Sequence, residues 1–161
     1  SGQPLCGISI DFAKAFDKVP QGFVMNLATM MGVPEQVIGA LRGAYSQLKR
    51  HFKISSFIGG AFKSTNGILQ GCPMSVVLLN LLMYIWTADI ADKVPGSFPM
   101  CYADDATVSC HRVQDVQLVL DLTEEFAMLT GMSLNLPKTK VWSTNARREA
   151  IERPPGHAPL A

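Results

Sequence analysis

Three carboxylates stand where chemistry would need them. Asp104 and Asp105 are adjacent and lie between two short strand-like segments, residues 97–102 and 106–110. Neighbouring side chains point to opposite faces on a regular strand, but at a turn both can point outward together. Two ionised carboxylates side by side repel unless a cation stands between them. Asp is also a favoured turn residue, and the dipeptide alone is read that way first. Asp11 changes the balance. It follows the apolar run 5–10, a short buried strand by its composition, so its carboxylate can emerge at a sheet edge. Taken singly, it is an ordinary N-cap for the helical turn that follows. Three carboxylates delivered by two strand ends could hold a pair of divalent ions about 3.5–4 Å apart, the spacing used for in-line phosphoryl transfer. Hard oxygen ligands of this kind suit Mg²⁺ or Mn²⁺ rather than zinc.

The segment Gly67-Ile68-Leu69-Gln70-Gly71-Cys72-Pro73-Met74-Ser75 adds a second element. Gly71 permits close backbone approach, Pro73 opens a long apolar helix, and Gln70 places an amide donor and acceptor beside the bend. Without company, glycine and proline at this spacing mark an ordinary loop-to-helix entry.

The elements that must position these groups follow from periodicity and punctuation. A strand at 5–10 leads to a helical turn or two at 12–19, stopped by Pro20. Helices are expected at 22–31, closed by Gly32, and at 34–48, with Pro34 in the first turn and Glu35 at the positive end. Strands at 51–58 and 61–66 flank Gly59-Gly60, a two-residue hairpin signal. A long apolar helix spans 73–91, and an amphipathic one spans Val113–Thr130 before Gly131. Residues 132–136 and 140–143 read as a last hairpin. This order predicts an α+β domain, an antiparallel sheet with helices packed on one face.

Composition narrows the classes. The 161 residues, 48% hydrophobic and 17% charged, suit one domain with a real core. Net charge is only +1, yet residues 1–80 carry seven Lys/Arg against three Asp/Glu, while 81–161 carry seven against ten. Cationic grip early and acidic chemistry late are implied. Lys49, Arg50, His51 and Lys53 precede the expected first hairpin; they form a solvated cationic loop or touch nucleic-acid phosphates. The four cysteines show no CxxC spacing, so buried reduced thiols in an intracellular protein, nuclear or cytoplasmic, are expected rather than a zinc ribbon or disulfide scaffold. The strongly apolar stretch 76–86 is interrupted by Asn80 and falls short of the about 20 residues a membrane span needs, so no membrane partner is expected.

In order along the chain, Asp11-Phe12-Ala13-Lys14-Ala15-Phe16-Asp17-Lys18-Val19, Leu69-Gln70-Gly71-Cys72-Pro73-Met74-Ser75, Tyr102-Ala103-Asp104-Asp105 and Gly131-Met132-Ser133-Leu134-Asn135-Leu136-Pro137-Lys138-Thr139-Lys140 resemble the reverse transcriptase family. The similarity is to its non-LTR retrotransposon (LINE-like) or group II intron branch. It spans roughly residues 5–143, and one departure is Val76, where that branch usually has Pro.

The resemblance implies a polymerase palm over 1–144, with a Pro-rich solvated tail at 145–161. It makes Asp11, Asp104 and Asp105 the triad that binds two Mg²⁺ (or Mn²⁺) ions, with the Phe12 carbonyl as a further ligand. Phe16 becomes the aromatic gate that crowds a ribose 2′-OH, the competing role being a core residue. Gln70 and Gly71 line the nascent base pair and template. Lys138 stands near the incoming triphosphate, or is a solvated surface lysine. Asp17 is expected to be structural and to pair with a nearby Lys or Arg. Lys49, Arg50 and Lys53 contact template or primer. The implied partners are an RNA template, a DNA primer and dNTPs, within a longer polyprotein or multidomain chain. Fingers before the first motif and a thumb after the last are missing, so the isolated chain is expected to be weakly active or inactive. The alternative is a non-catalytic RNA- or protein-binding remnant of a palm.

Overall fold

Strand β1 (Cys6–Asp11) is buried or half-buried at every position, as a strand flanked on both edges must be. The computed structural model describes residues 5–144; the tail expected at 145–161 lies outside the described residues. A short helix α1 (Ala15–Lys18) follows, entered through Lys14 in the left-handed region at φ 53°. Helices α2 (Gln21–Met30) and α3 (Glu35–Gln47) are separated by Gly32 at φ 87° and Pro34, residues that stop one helix and orient the next. A hairpin, β2 (Arg50–Ile54) and β3 (Phe57–Phe62), precedes the long helix α4 (Pro73–Lys93). Then come β4 (Phe98–Tyr102), β5 (Asp105–Cys110), α5 (Val113–Thr130), ended by Gly131 at φ 73°, and β6 (Lys140–Ser143).

Four strands form one antiparallel sheet in the order β4-β5-β1-β6. Its two faces differ. Cys6, Ile8 and Ile10 of β1, with Ala106, Val108 and Cys110 of β5, are buried in the same core cluster as the inward residues of α4 and α5. The opposite face presents Asp11, Ser9 and Gly7 across from Asp105, Thr107 and Ser109, in rows that run out to Tyr102, Met100 and Phe98 on β4. Gly7 is required here, because a Cβ would stand 2.4 Å from the Val108 carbonyl and 2.5 Å from the Trp142 ring. The fold class is thus α+β, with helices on one face of an antiparallel sheet.

Helix α4 is two residues longer than its periodicity indicates and is long and apolar enough to cross a membrane by length and composition. Its buried residues Leu78, Leu79, Leu82, Met83, Trp86 and Ile90 recur at three- and four-residue spacing, which is the pattern of a core helix. Trp86 is fully enclosed and donates its indole N–H to Thr123 Oγ1 on α5 at 3.0 Å, locking the two helices together. Thr123 in turn donates to the Val119 carbonyl at 2.6 Å. All four cysteines are free thiols; Cys6 and Cys110 are buried, whereas Cys72 and Cys101 are only half-buried.

Two expectations are corrected. The hairpin turns at Ser55-Ser56, with Ser55 at φ 55°, and Gly59-Gly60 lies inside β3. The reason is side-chain pairing: Phe52 stacks on Phe62 with ring centroids 4.7 Å apart, and Ile54 opposes Phe57, which fixes a register that the glycines do not. There is also no hairpin at 132–143. Residues 132–139 are turns with one isolated bridge, Phe12 to Leu134, and β6 pairs instead with β1.

Thr123→Val removes the acceptor of the buried Trp86 N–H at nearly constant volume. We expect a loss of about 1–3 kcal/mol in urea unfolding, the cost of an unsatisfied buried donor.

Candidate active site

The β4–β5 hairpin closes with Tyr102 opposite Asp105 around the two-residue loop Ala103-Asp104. Such loops need positive φ at their first position, and Ala103 supplies it at φ 54° although it is not glycine. In a loop of this length the closing residues exchange main-chain hydrogen bonds, so the Asp105 backbone faces β4. On its other side Asp105 is the direct partner of Asp11. The Asp11 carbonyl also faces away from β5, accepting from Asn135 N–H at 2.7 Å. Asp11 and Asp105 are therefore a non-hydrogen-bonded antiparallel pair, the kind in which side chains come closest. Both belong to the open face, at the rim of the sheet. Their separation in sequence is 94 residues, and the register alone brings them together.

Asp104 occupies the loop beside this pair. Among the described residues no three His, Cys, Asp or Glu groups are gathered closely enough to hold a metal ion. What the fold assembles is a facing pair, Asp11 and Asp105, with the third carboxylate on the adjoining turn. Paired, solvent-accessible carboxylate oxygens fit a hard divalent cation by donor type. Cys101, next to this turn, has its thiol pushed up to about 11, first by burial and then by the Asp105 charge.

The first motif is anchored from below. Phe12 is buried and meets Trp86 and Phe126 edge-on, with ring centroids 6.3 and 6.4 Å away, so its side chain pins the end of β1 to the helices. Phe16 is half-buried against the core, and its carbonyl accepts from Ile68 N–H at 2.7 Å. Gly67 N–H donates to the Val19 carbonyl at 2.8 Å, and Gln21 Nε2 and the Arg50 guanidinium both donate to the Gly67 carbonyl, at 2.8 and 3.0 Å. These bonds strap the loop before α4 onto α1. The contact needs glycine: at φ 82°, a Cβ on residue 67 would lie 2.8 Å from the Asp17 carbonyl.

The strap delivers Gln70 and Gly71 beside α1. Gln70 Nε2 approaches Asp17 Oδ1 at 3.4 Å, so Asp17 takes an amide partner and not the expected Lys or Arg. Gly71 sits at φ 81° with open space where a Cβ would be, a main chain that another molecule can approach. Cys72, at the start of α4, has its thiol pulled below the ordinary value by the main-chain N–H groups of Ser75 and Met74.

Lys138 is exposed on a turn hung from the first motif: Asn135 donates to Asp11, and Lys138 and Thr139 N–H donate back to the Asn135 carbonyl at 2.9 and 3.0 Å. Lys18 Nζ bonds Ser133 Oγ and fastens the same turn to α1. Lys49 and Lys53 are exposed, whereas Arg50 is spent on Gly67 and anchors the hairpin. Sequence reasoning missed Asn135 and Gly67 as the two fasteners of the site; only Gly67 carries a local signal, a glycine ahead of the Gln70–Gly71 bend. A cleft of about 570 Å³ between α4 and β4 is lined by residues such as Val76, Met83 and Pro99 and reaches Tyr102 and Ala103 of the carboxylate hairpin, although none of the three aspartates lines it.

The family model described as "Reverse transcriptase (RNA-dependent DNA polymerase)" matches residues 1–151. The Retrovirus-related Pol polyprotein from type-2 retrotransposable element R2DM of Drosophila melanogaster is 24% identical over 136 residues, covering 81% of this chain and 13% of that protein. The uncharacterized 149 kDa protein of transposon TX1 from Xenopus laevis is 22% identical over 148 residues, 86% of this chain and 11% of its own length. The chain thus spans little more than a tenth of these curated relatives. Among solved structures, telomerase from Candida tropicalis in complex with a TWJ fragment of telomeric RNA superposes with a TM-score of 0.74 at 13% identity, over 89% of this chain and 26% of the other. That likeness is one of fold. Telomerase from Candida albicans gives a TM-score of 0.68 at 13% identity, covering 92% and 28%. With the family match running through all four motifs and the facing aspartates at the sheet rim, the chain belongs to the reverse transcriptase family.

Proposed function

We infer that this chain is the palm of an RNA-directed DNA polymerase, joining dNTPs to a primer 3′-OH on an RNA template by two-metal nucleotidyl transfer. One observation carries the reading: Asp11 and Asp105 face each other as a close antiparallel pair on the open face, with Asp104 on the adjacent loop. Asp11, Asp105 and Asp104, with the Phe12 carbonyl, are the groups that would hold Mg²⁺ or Mn²⁺. The chemistry such ions supply when bound is Lewis-acid activation of a hydroxyl and neutralisation of phosphate charge.

The rest of the work falls to the chain's own residues. The open face, with Ser9, Thr107 and Ser109 between the rim and the far edge, is the floor on which a primer end lies. Gln70 and the bare main chain at Gly71 border the nascent base pair. Phe16, wedged between core and surface on α1, crowds the sugar of the incoming nucleotide. Lys138 faces the triphosphate from the turn suspended on Asp11. Lys49, Arg50 and Lys53 serve phosphates of the bound strand, Arg50 by holding the hairpin in place. Residues 1–144 form this unit within a longer multidomain protein inside the cell, which supplies the remaining grip on the duplex.

In primer extension by the full-length protein that carries these residues, Asp11→Asn and Asp105→Asn should each lower the rate by about 100-fold or more, beyond the about 10–100-fold typical of losing an outer-shell partner of a metal. Thr107→Val, on the same face, should leave it within a factor of a few. Activity surviving Asp105→Asn would sink the assignment. Calorimetric titration of the chain with Mn²⁺ and a dNTP separates a working palm from a remnant: the palm binds metal in a nucleotide-dependent way, and a remnant binds nucleic acid without doing so.

Phe16→Ala should raise ribonucleotide incorporation relative to deoxyribonucleotide by about tenfold or more, within the about 10–200-fold that a hydrophobic pocket can discriminate. An unchanged ratio in single-nucleotide insertion would return Phe16 to a core role only.

A further inference from the structure

The β2–β3 hairpin stands outside the main sheet; its two strands pair only with each other. A two-stranded ribbon is marginal alone. This one is tied down by Arg50 on the Gly67 carbonyl, by the Phe52–Phe62 stack, and by His51 Nδ1 with the Gly59 carbonyl at 3.0 Å. It nevertheless leaves Phe52 67%, Ile54 73%, Phe57 71% and Ile58 63% exposed. Phe52 has one ring face on Phe62 and remains two-thirds exposed, so its other face is open. Alternation sets Phe52 and Ile54 on one side of β2, with Phe57 directly opposite Ile54. An aromatic and aliphatic shelf results.

Charge decides what covers it. From Gln36 to Ala88 the chain contains no Asp or Glu at all, while it carries Arg42, Lys49, Arg50, Lys53 and Lys63. Lys49 and Lys63 stand at the base of the hairpin, and Lys53, opposite Ile58, alternates to the other side of the ribbon from Phe52 and Phe57. The ion pairs among the described residues, Lys93–Asp89 and Arg112–Asp115, involve none of them. Aromatic rings with an open face, flanked by unpaired cations, are the two components of a site for single-stranded nucleic acid: bases stack on the rings and phosphates meet the lysines. A partner protein of ordinary mixed charge would find no acidic group here to pair with its own cations.

We propose that the β2–β3 hairpin is a stacking shelf for an unpaired nucleic-acid strand, with Phe52 and Phe57 as base platforms and Lys49, Lys53 and Lys63 as phosphate contacts. The shelf is continuous with the site, because Arg50 grips Gly67 and the Gln70–Gly71 bend follows directly. Naming the bound strand as template ahead of the growing end rests on the polymerase reading; the binding itself does not.

The test uses fluorescence anisotropy of the full chain with a labelled oligo(U) 15-mer and with an RNA duplex of equal length. Phe57→Ala, which breaks no ring stack, should weaken single-strand binding about tenfold, within the range for loss of one base–aromatic stack. It should leave duplex binding unchanged. Phe52→Trp should preserve or tighten binding, which a merely structural ring would not predict. The double change Lys53→Gln with Lys63→Gln should flatten the slope of log affinity against log salt by about 1.4, at about 0.7 per phosphate contact on a single strand. Asp105→Asn should alter none of these values, so failure of the metal site and failure of the shelf are read separately. Oligo(U) affinity indifferent to Phe57→Ala would overturn the proposal. So would a dimer in sedimentation that Phe57→Ala dissociates while oligo(U) binding persists, since that assigns the face to a second copy of the chain.

Discussion

The antiparallel register between β1 and β5 is the constraint on which the site depends. Side chains alternate along a strand with period two, so a slip of one residue would send Asp11 to the helix-packed face and bring Ile10 to the open one. The register is held at the other end by burial, not by the aspartates. Cys6, Ile8 and Ile10 oppose Cys110, Val108 and Ala106 in the core. Apolar packing on one face thus sets acidic geometry on the other. It also makes the pair a non-hydrogen-bonded one, bringing together two carboxyl groups that no Lys or Arg among the described residues pairs with.

The neighbouring pieces of the site are all hung on the first motif. The turn bearing Lys138 takes its position from a hydrogen bond to the Asp11 carbonyl, and the Gln70–Gly71 bend takes its position from bonds to the carbonyls of Phe16 and Val19. Phe12, gripped between Trp86 and Phe126, fixes that motif to the helices. Main-chain bonds of this kind depend on backbone path and tolerate many side chains, which suits a scaffold that must keep three distant segments in one place. Two points carry backbone conformations disfavoured for their residue types: Ala103 in the carboxylate loop and Lys14 just after Asp11. Strain of this sort tends to persist where the surroundings over-determine the conformation.

The chain also divides its charge by place. The acid-free stretch from Gln36 to Ala88 covers nearly all of α3, the exposed hairpin and most of α4, while Asp104 and Asp105 lie beyond it, on the β4–β5 loop and at the start of β5. A polyanion drawn to the first region would meet the carboxylates only where cations offset them, which is the condition that the proposed function sets.

Several features were legible in the sequence because they are local. The order of the four motifs, the limits of α5, the glycine and proline stops of α2 and α3, and a turn at Ala103-Asp104 all follow from neighbours in the chain, although Asp105, expected in that turn, opens β5 instead. The placing of the hairpin turn was not legible, because Gly59-Gly60 is the stronger local signal and the stack of Phe52 on Phe62, ten residues apart, overrides it. Nor was the fate of residues 132–143, where β6 has β1 as its partner from the far end of the chain. By itself the sequence determined which acidic groups exist, their order, and that each ends or follows an extended apolar run. Only the tertiary structure decided that Asp11 and Asp105 face each other while Asp104 stays on the loop, because strand register is settled by packing between segments remote in sequence and leaves no trace in the local pattern of either one.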